Sequence, residues 1–306
     1  MKKVLCIGSV TTDVIVSPAD SVPTPGTLRA VDSVSTHVGG CAANAAIDLG
    51  RLGVPAVLCC KVGADSFGDF VEESVRASGA DTRGIVRDPA VSTTVSIVCV
   101  QSGGERSFLY CPGSTSADAL LEEADIVFIA GAMLLTAFDG EGAAQVLERA
   151  RRMGKTTVMD TAWDFEDIWL PKVEAALPHL DLFMPSVEEA AKLTGETEPE
   201  RIADRLLEMG PKNVVVKTGR TGALLCPAGG PRQQVPTWRS VRAVDTTGAG
   251  DAFCAGFLAG MAQGWDFTRC GVFANAVGTH CVMAIGASTG IRPIAEIEAF
   301  IRDNAP

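Results

Sequence analysis

Asp245-Thr-Thr-Gly-Ala-Gly-Asp251 sets small residues directly against the start of an apolar segment, about Ala252 to Met261, that has the character of a buried helix. Gly248, Ala249 and Gly250 leave backbone N–H groups bare where a helix N-terminus lacks intrahelical partners and the macrodipole adds partial positive charge. Such a nest suits a transferring phosphoryl group. Asp251, on the first turn beside it, can accept the proton of an attacking hydroxyl during in-line displacement. Acidic residues favour first turns for electrostatic reasons alone, so the aspartate carries little weight without the run before it.

Upstream, short apolar runs recur: Val4-Leu-Cys-Ile7, Ile126-Val-Phe-Ile-Ala130, Thr157-Val-Met159, Leu182-Phe-Met184 and Val214-Val-Val216. Each suits a strand buried on both faces. Between and after them lie segments of helical period, among them Ala143/Val146/Leu147/Ala150, Ile202/Leu206/Met209 and Ile294/Ile297/Phe300/Ile301. The alternation predicts an α/β fold, a mostly parallel sheet flanked by helices, formed by residues 1–306 as one domain. Two segments break it, about 14–38 with its prolines and about 91–112, where Thr93 to Val100, Ser102-Gly-Gly104 and Arg106 to Tyr110 suggest a hairpin. A small β-sheet lid on the α/β body is the expected home for both.

Composition narrows the partners. A formal net charge of -11 would repel a nucleic-acid backbone, so no nucleic acid is expected. An anion such as ATP binds nonetheless where backbone N–H groups supply the local positive potential. The 10 cysteines show no CxxC pair, which predicts reduced thiols and a cytoplasmic location, and His37, His179 and His280 lack zinc-ligand spacing. Lys2-Lys3 before Val4 to Val10 imitates a signal peptide, but Asp13 ends the run, and a buried first strand is the expectation. Gly271 to Ile291 carries no charged side chain, yet Asn275, Thr279, His280, Ser288 and Thr289 mark it as a buried helix and loop rather than a membrane span.

Three better-known motifs fail on position. Gly154-Lys155-Thr156 ends like a P-loop, but Arg149 stands where its first glycine belongs. Gly286-Ala-Ser-Thr-Gly290 fits GxSxG, but no histidine follows Ser288. No GxGxxG follows the first strand.

A second glycine cluster, Gly39-Gly40-Cys-Ala-Ala-Asn44-Ala-Ala46, brings backbone close to a ligand and adds an amide that both donates and accepts toward a polyol. With both clusters in place, and Gly53 and Gly63 spaced after the first, the chain resembles the ribokinase-like, or PfkB, carbohydrate kinases. That resemblance implies an ATP-dependent phosphotransferase acting on a hydroxyl of a sugar or sugar-like substrate. Asp251 would be its general base, and Gly248, Ala249 and Gly250 its anion hole. It assigns Asp13, Gly39, Gly40 and Asn44 to the substrate, with Gly8 and Asp13 matching the family's early Gly-x(4)-Asp. Lys217, Thr218, Gly219, Gly222 and Asn275 fall to the nucleotide. Asp245 and Thr247 match a monovalent-cation site, K+ in many members, and Glu189 an element linked to Mg2+ through water. One departure stands out: Ser186 replaces the usual asparagine of Asn-x-x-Glu, which puts the water network around the metal in question.

Two other readings stay open. A nucleoside kinase would carry the same motifs, although a single tyrosine and few aromatics offer little for base stacking. A catalytically silent ligand sensor would fit the lost asparagine. Exposed lid edges also suggest a homodimer formed through the lid.

Overall fold

A computed structural model of the chain describes residues 1–103, 105–112 and 120–304. Gly104, placed above in the hairpin turn, and the side chain of Arg106 lie outside the described residues. The N-terminal part contains β1 (Val4–Gly8), β2 (Thr11–Ser17), β3 (Ser33–Gly39), α1 (Cys41–Leu52), β4 (Ala56–Gly63), α2 (Ser66–Ala77) and β5 (Asp81–Asp88). After the hairpin β6 (Val95–Val100) and β7 (Arg106–Cys111) come β8 (Ile126–Ala132), α3 (Glu141–Arg152), β9 (Thr156–Thr161), β10 (Leu182–Phe183), α4 (Val187–Thr194) and α5 (Pro199–Glu208). The chain ends with β11 (Asn213–Lys217), β12 (Ala223–Cys226), β13 (Gln233–Val235), α6 (Ala249–Gln263), α7 (Phe267–Val282) and α8 (Ile294–Asp303).

Nine strands form one sheet in the order β13-β12-β11-β10-β9-β8-β1-β4-β5. It is parallel except where β12 and β13 turn back. β1 lies inside it, and all five of its residues are buried. Its side chains alternate between two cores: Val4 and Cys6 join the layer under α1, α2, α6, α7 and α8, while Leu5 and Ile7 join that under α3, α4 and α5. This is the period of two expected of a strand covered on both faces.

The segments that break the alternation form a second sheet of four strands, β3-β2-β6-β7. β6 and β7 are the expected hairpin, antiparallel from Val95 opposite Cys111 to Val100 opposite Arg106. β2 runs parallel to β6 and antiparallel to β3. β2 follows β1 after two residues, and α1 follows β3 after one. The small sheet is therefore tied to the body at the C-terminal end of β1, the end at which open α/β sheets bind ligands.

Helices α6 and α7 pack side by side through small residues, since a Cβ on Gly256 would sit 2.8 Å from the Ala274 Cα. That packing fixes where the N-terminus of α6 points. No helix among the described residues is long and apolar enough to cross a membrane, and α7 with the loop after it occupies the uncharged stretch from Gly271. All ten cysteines carry free thiols.

Candidate active site

α6 begins at Ala249, three residues earlier than the sequence suggested. Gly248 is its N-cap, with φ of 76°, a left-handed conformation that glycine adopts without strain. Any side chain there would also strike Ala287, whose Cβ would lie 2.5 Å from the new carbon. Ala249, Gly250 and Asp251 thus occupy the first helical turn, where N–H groups lack intrahelical partners.

Asp251 is half-buried, and its withdrawal from water pushes its carboxyl above the usual carboxylate range. A hydrogen bond from Asn44, the charge of Lys217 and the thiol of Cys41 act in the opposite direction. The Asn44 Nδ2 group donates to Asp251 Oδ2 at 2.8 Å across 207 positions of sequence. This one contact joins the two glycine clusters. Asn44 Oδ1 is buried with no hydrogen-bond partner, an acceptor left over for a hydroxyl.

The rest of the acceptor side gathers around α1. Gly40 caps that helix with φ of 87°, and a Cβ on Gly39 would lie 2.2 Å from the Asp13 carboxylate. Glycine at position 39 is what admits Asp13. Asp13 is itself largely withdrawn from water, and burial pushes its pKa up to about 6.

A cavity of about 550 Å3 runs over the C-terminal ends of β9, β10 and β11 to the N-terminus of α6. Gly248, Ala249, Gly250, Asp251, Lys217, Gly219, Gly222, Glu189 and Asn275 all line it. Thr218 is outside the lining; its backbone N–H donates to Gly222 O at 2.9 Å and shapes the loop instead. Asp13, Gly39, Gly40 and Asn44 also stand outside, and the two regions meet at Cys41 and Asp251. Asn275 is buried, and its Nδ2 donates to Val235 O and Pro236 O, at 3.0 and 3.3 Å, so that amide group holds the cavity wall.

Ser186 and Glu189 form a capping box at the start of α4. Ser186 Oγ accepts from Glu189 N at 3.3 Å, while Glu189 Oε2 accepts from Ser186 N at 3.1 Å and from Thr161 Oγ1 at 2.8 Å. Burial raises the Glu189 pKa and Lys217 opposes the rise. Asp245 ties its own loop to the one after α7: Oδ1 accepts from Thr247 N at 2.9 Å and Oδ2 from Gly286 N at 3.0 Å.

One cluster escaped the sequence reading. Lys217 Nζ contacts Asp160 Oδ1 at 2.7 Å, and the Cys254 thiol donates to Asp160 Oδ2 at 3.3 Å. Asp160 follows the apolar run Thr157-Val-Met159, and a carboxylate just past such a run sits at the ligand-binding end of a parallel strand. That signal could have found it. Cys41, in the middle of the first glycine cluster, carried none.

A family model for pfkB family carbohydrate kinases matches residues 1–294. The chain is 27% identical over 292 residues to a 2-dehydro-3-deoxygluconokinase of Bacillus subtilis, covering 90% of each. It is 29% identical over 298 residues to a nucleoside kinase of Methanothermobacter thermautotrophicus, covering 96% of this chain and 94% of that one. A ribokinase II from E. coli, solved with ATP and Mg2+, superposes with a TM-score of 0.85 at 26% identity over 99% of this chain and all of that one. Matched along nearly its whole length and folded as its relatives are, the chain belongs to the pfkB family of carbohydrate kinases.

Proposed function

We propose that this carbohydrate kinase transfers the γ-phosphoryl group of ATP to a hydroxyl of a sugar or sugar acid, with Asp251 as the base. The Asn44–Asp251 hydrogen bond carries the reading, because it sets an acceptor-side amide and the base in contact at the mouth of the α6 nest. Asp13 and the unpartnered Asn44 Oδ1 receive the acceptor's hydroxyls, and the Gly248 to Gly250 N–H groups take up charge on the phosphoryl group. The raised Asp251 pKa brings the base nearer working pH, where proton transfer is most effective.

The nucleotide occupies the cavity along Gly219, Gly222 and Asn275, with the 217–222 loop as one wall. Among the described residues no three His, Cys, Asp or Glu side chains converge on a metal site, while Glu188, Glu189 and Asp160, with their hard carboxylate oxygens, are among the residues that line the cavity. That set fits Mg2+ carried by the nucleotide phosphates and reached from Glu189 through water. When bound, the ion neutralises phosphate charge and orients the phosphate chain. Asp245 and Thr247, bonded into the loop at Gly286, are the residues we assign to a K+ site, checked by assaying with and without K+.

The four-stranded sheet acts as a lid over the acceptor, excluding water on closure. A cytoplasmic homodimer formed through this sheet completes the reading. Replacing Asp251 with Asn should preserve folding and ATP binding and lower turnover by about 10²–10⁴-fold, the usual worth of a positioned base. Near wild-type turnover of the variant would remove Asp251 from the mechanism.

Kinship with a nucleoside kinase favours a second acceptor class. A panel of sugars, sugar acids and nucleosides with Mg-ATP, read by ADP release, separates the two; turnover of nucleosides alone would overturn the sugar assignment. Ligand-induced stabilisation without ADP release across the panel would instead mark a silent sensor.

A further inference from the structure

We propose that Lys217 is a further catalytic residue of this site: its ammonium group, anchored on Asp160, neutralises charge on the phosphoryl group as it passes from nucleotide to acceptor. The inference rests on the reading of Gly248 to Gly250 as the phosphoryl nest.

Lys217 is the last residue of β11, at the ligand-binding end of the sheet, and its side chain runs beneath the N-terminus of α6. A Cβ on Gly250 would lie 3.4 Å from Nζ. The ammonium group therefore borders the same space as the nest N–H groups and lines the same cavity as Asp251.

A surface lysine keeps its ammonium in water, whereas this side chain is only 11% exposed and buries its charge against Asp160. Burial works against that charge, but Asp160, Cys254 and Glu189 outweigh it and leave Lys217 protonated well past neutral pH. Burying an ion pair is costly and gives little net stability compared with apolar packing. Its position facing a cavity points instead to a ligand.

Asp160 is buried and Glu189 and Asp251 are half-buried around this cavity; withdrawal from water raises the pKa of each, and the Lys217 charge opposes the rise. The other basic side chains lining it, Arg220 and Arg239, are exposed. A polyphosphate entering among these carboxylates needs a cation at that spot. Three contacts hold the anchor in turn, since Asp160 accepts from Lys217 and the Thr161 N–H on one oxygen and from the Cys254 thiol on the other.

In the step itself, the acceptor hydroxyl gives its proton to Asp251 as its oxygen bonds to the γ-phosphorus. The bond from that phosphorus to the bridging oxygen breaks, and its electron pair leaves on the terminal oxygen of ADP. Lys217 keeps its proton throughout and donates hydrogen bonds to the moving phosphoryl oxygens. An interaction that strengthens only as charge develops raises kcat rather than affinity.

Lys217→Met should therefore lower kcat by about 10²–10³-fold, the scale of losing one preorganised donor, with KM for ATP and acceptor changed by less than about threefold. ADP with aluminium fluoride, which imitates the phosphoryl group in flight, should stabilise the wild-type protein against heat more than ADP alone does. In the variant that extra stabilisation should vanish while the ADP effect remains. Because Met leaves Asp160 buried and unpaired, Lys217→Met combined with Asp160→Asn is the folding control, and it should melt near wild type and stay slow. A folded double variant with wild-type kcat would overturn the proposal, as would a Lys217→Met variant that loses ATP affinity at unchanged kcat. The Asp251→Asn variant separates the two claims: if it is slow and Lys217→Met is fast, only the lysine falls, and the reverse result removes only the base.

Discussion

Asp48 lies one helical turn past Asn44 on α1, fully buried, with neither carboxyl oxygen in a hydrogen bond. Burial pushes its pKa well above the usual range; nearby Asp251 adds to the rise, and the charge of Arg51 opposes it. The folded state therefore favours the protonated acid. Its contribution to stability is complete below the unfolded pKa, about 3.9, and is lost as pH rises through the folded value. Asp48→Asn removes the ionisation while keeping the shape. The variant should melt above wild type at pH 8, by at least about 2–4 °C if one kcal/mol is recovered, and the gap should close toward pH 4. Equal melting curves at pH 8 would show that Asp48 ionises at no cost in the fold. Nothing in the sequence announced this group, because an aspartate on an amphipathic helix ordinarily faces water. The residues that were legible, Asn44 and Asp251, owed that to glycine neighbours that make sense only where backbone must approach a ligand.

At the scale of elements, the apolar runs gave the strand centres well, since a strand covered on both faces must be apolar at every position. Helix starts were harder. α6 begins inside the glycine run because its N-cap is Gly248 itself, which caps through backbone geometry with no side-chain signal. The start of α4 was read as a departure from the family pattern, and the structure gives Ser186 a local duty that explains its hydroxyl. Ser186→Ala deletes the cap on Glu189 N and should cost about 1 kcal/mol, seen as a fall in melting temperature of about 2–4 °C. Asparagine is as good an N-cap as serine, so Ser186→Asn should leave melting within about 1 °C of wild type. If alanine proves as stable as serine, the capping box contributes nothing, and the hydroxyl belongs to the metal's water network instead. That alternative has its own signature, a raised Mg2+ requirement in the alanine variant at unchanged stability.

The whole molecule sets its polar chemistry at one end of the large sheet and its small sheet beside it, an arrangement that leaves apolar surface to be covered. By register, Val14 stands opposite Thr36 and Ile97, and Ile97 opposite Leu109, so these residues share one face of the small sheet, with Val34 two residues along β3 on the same side. Val34, Ile97 and Leu109 are exposed there. Asp13 lies on the opposite face, level with His37 and Ser96. One face thus serves the acceptor and the other is free to meet a second copy, which would also protect the sheet's edges. The proposed homodimer follows from that division, and so does its test. Ile97→Asp together with Leu109→Asp places two charges on the outer face without touching the Asp13 face. Light scattering at micromolar concentration should give about twice the 31.8 kDa chain mass for wild type, and a single chain for the variant. A lid braced by its partner also closes over the acceptor more readily, so the monomeric variant should show a higher KM for the acceptor with ATP binding unchanged. A wild-type protein of single-chain mass would end the dimer proposal, and a variant that stays dimeric would move the interface to another surface.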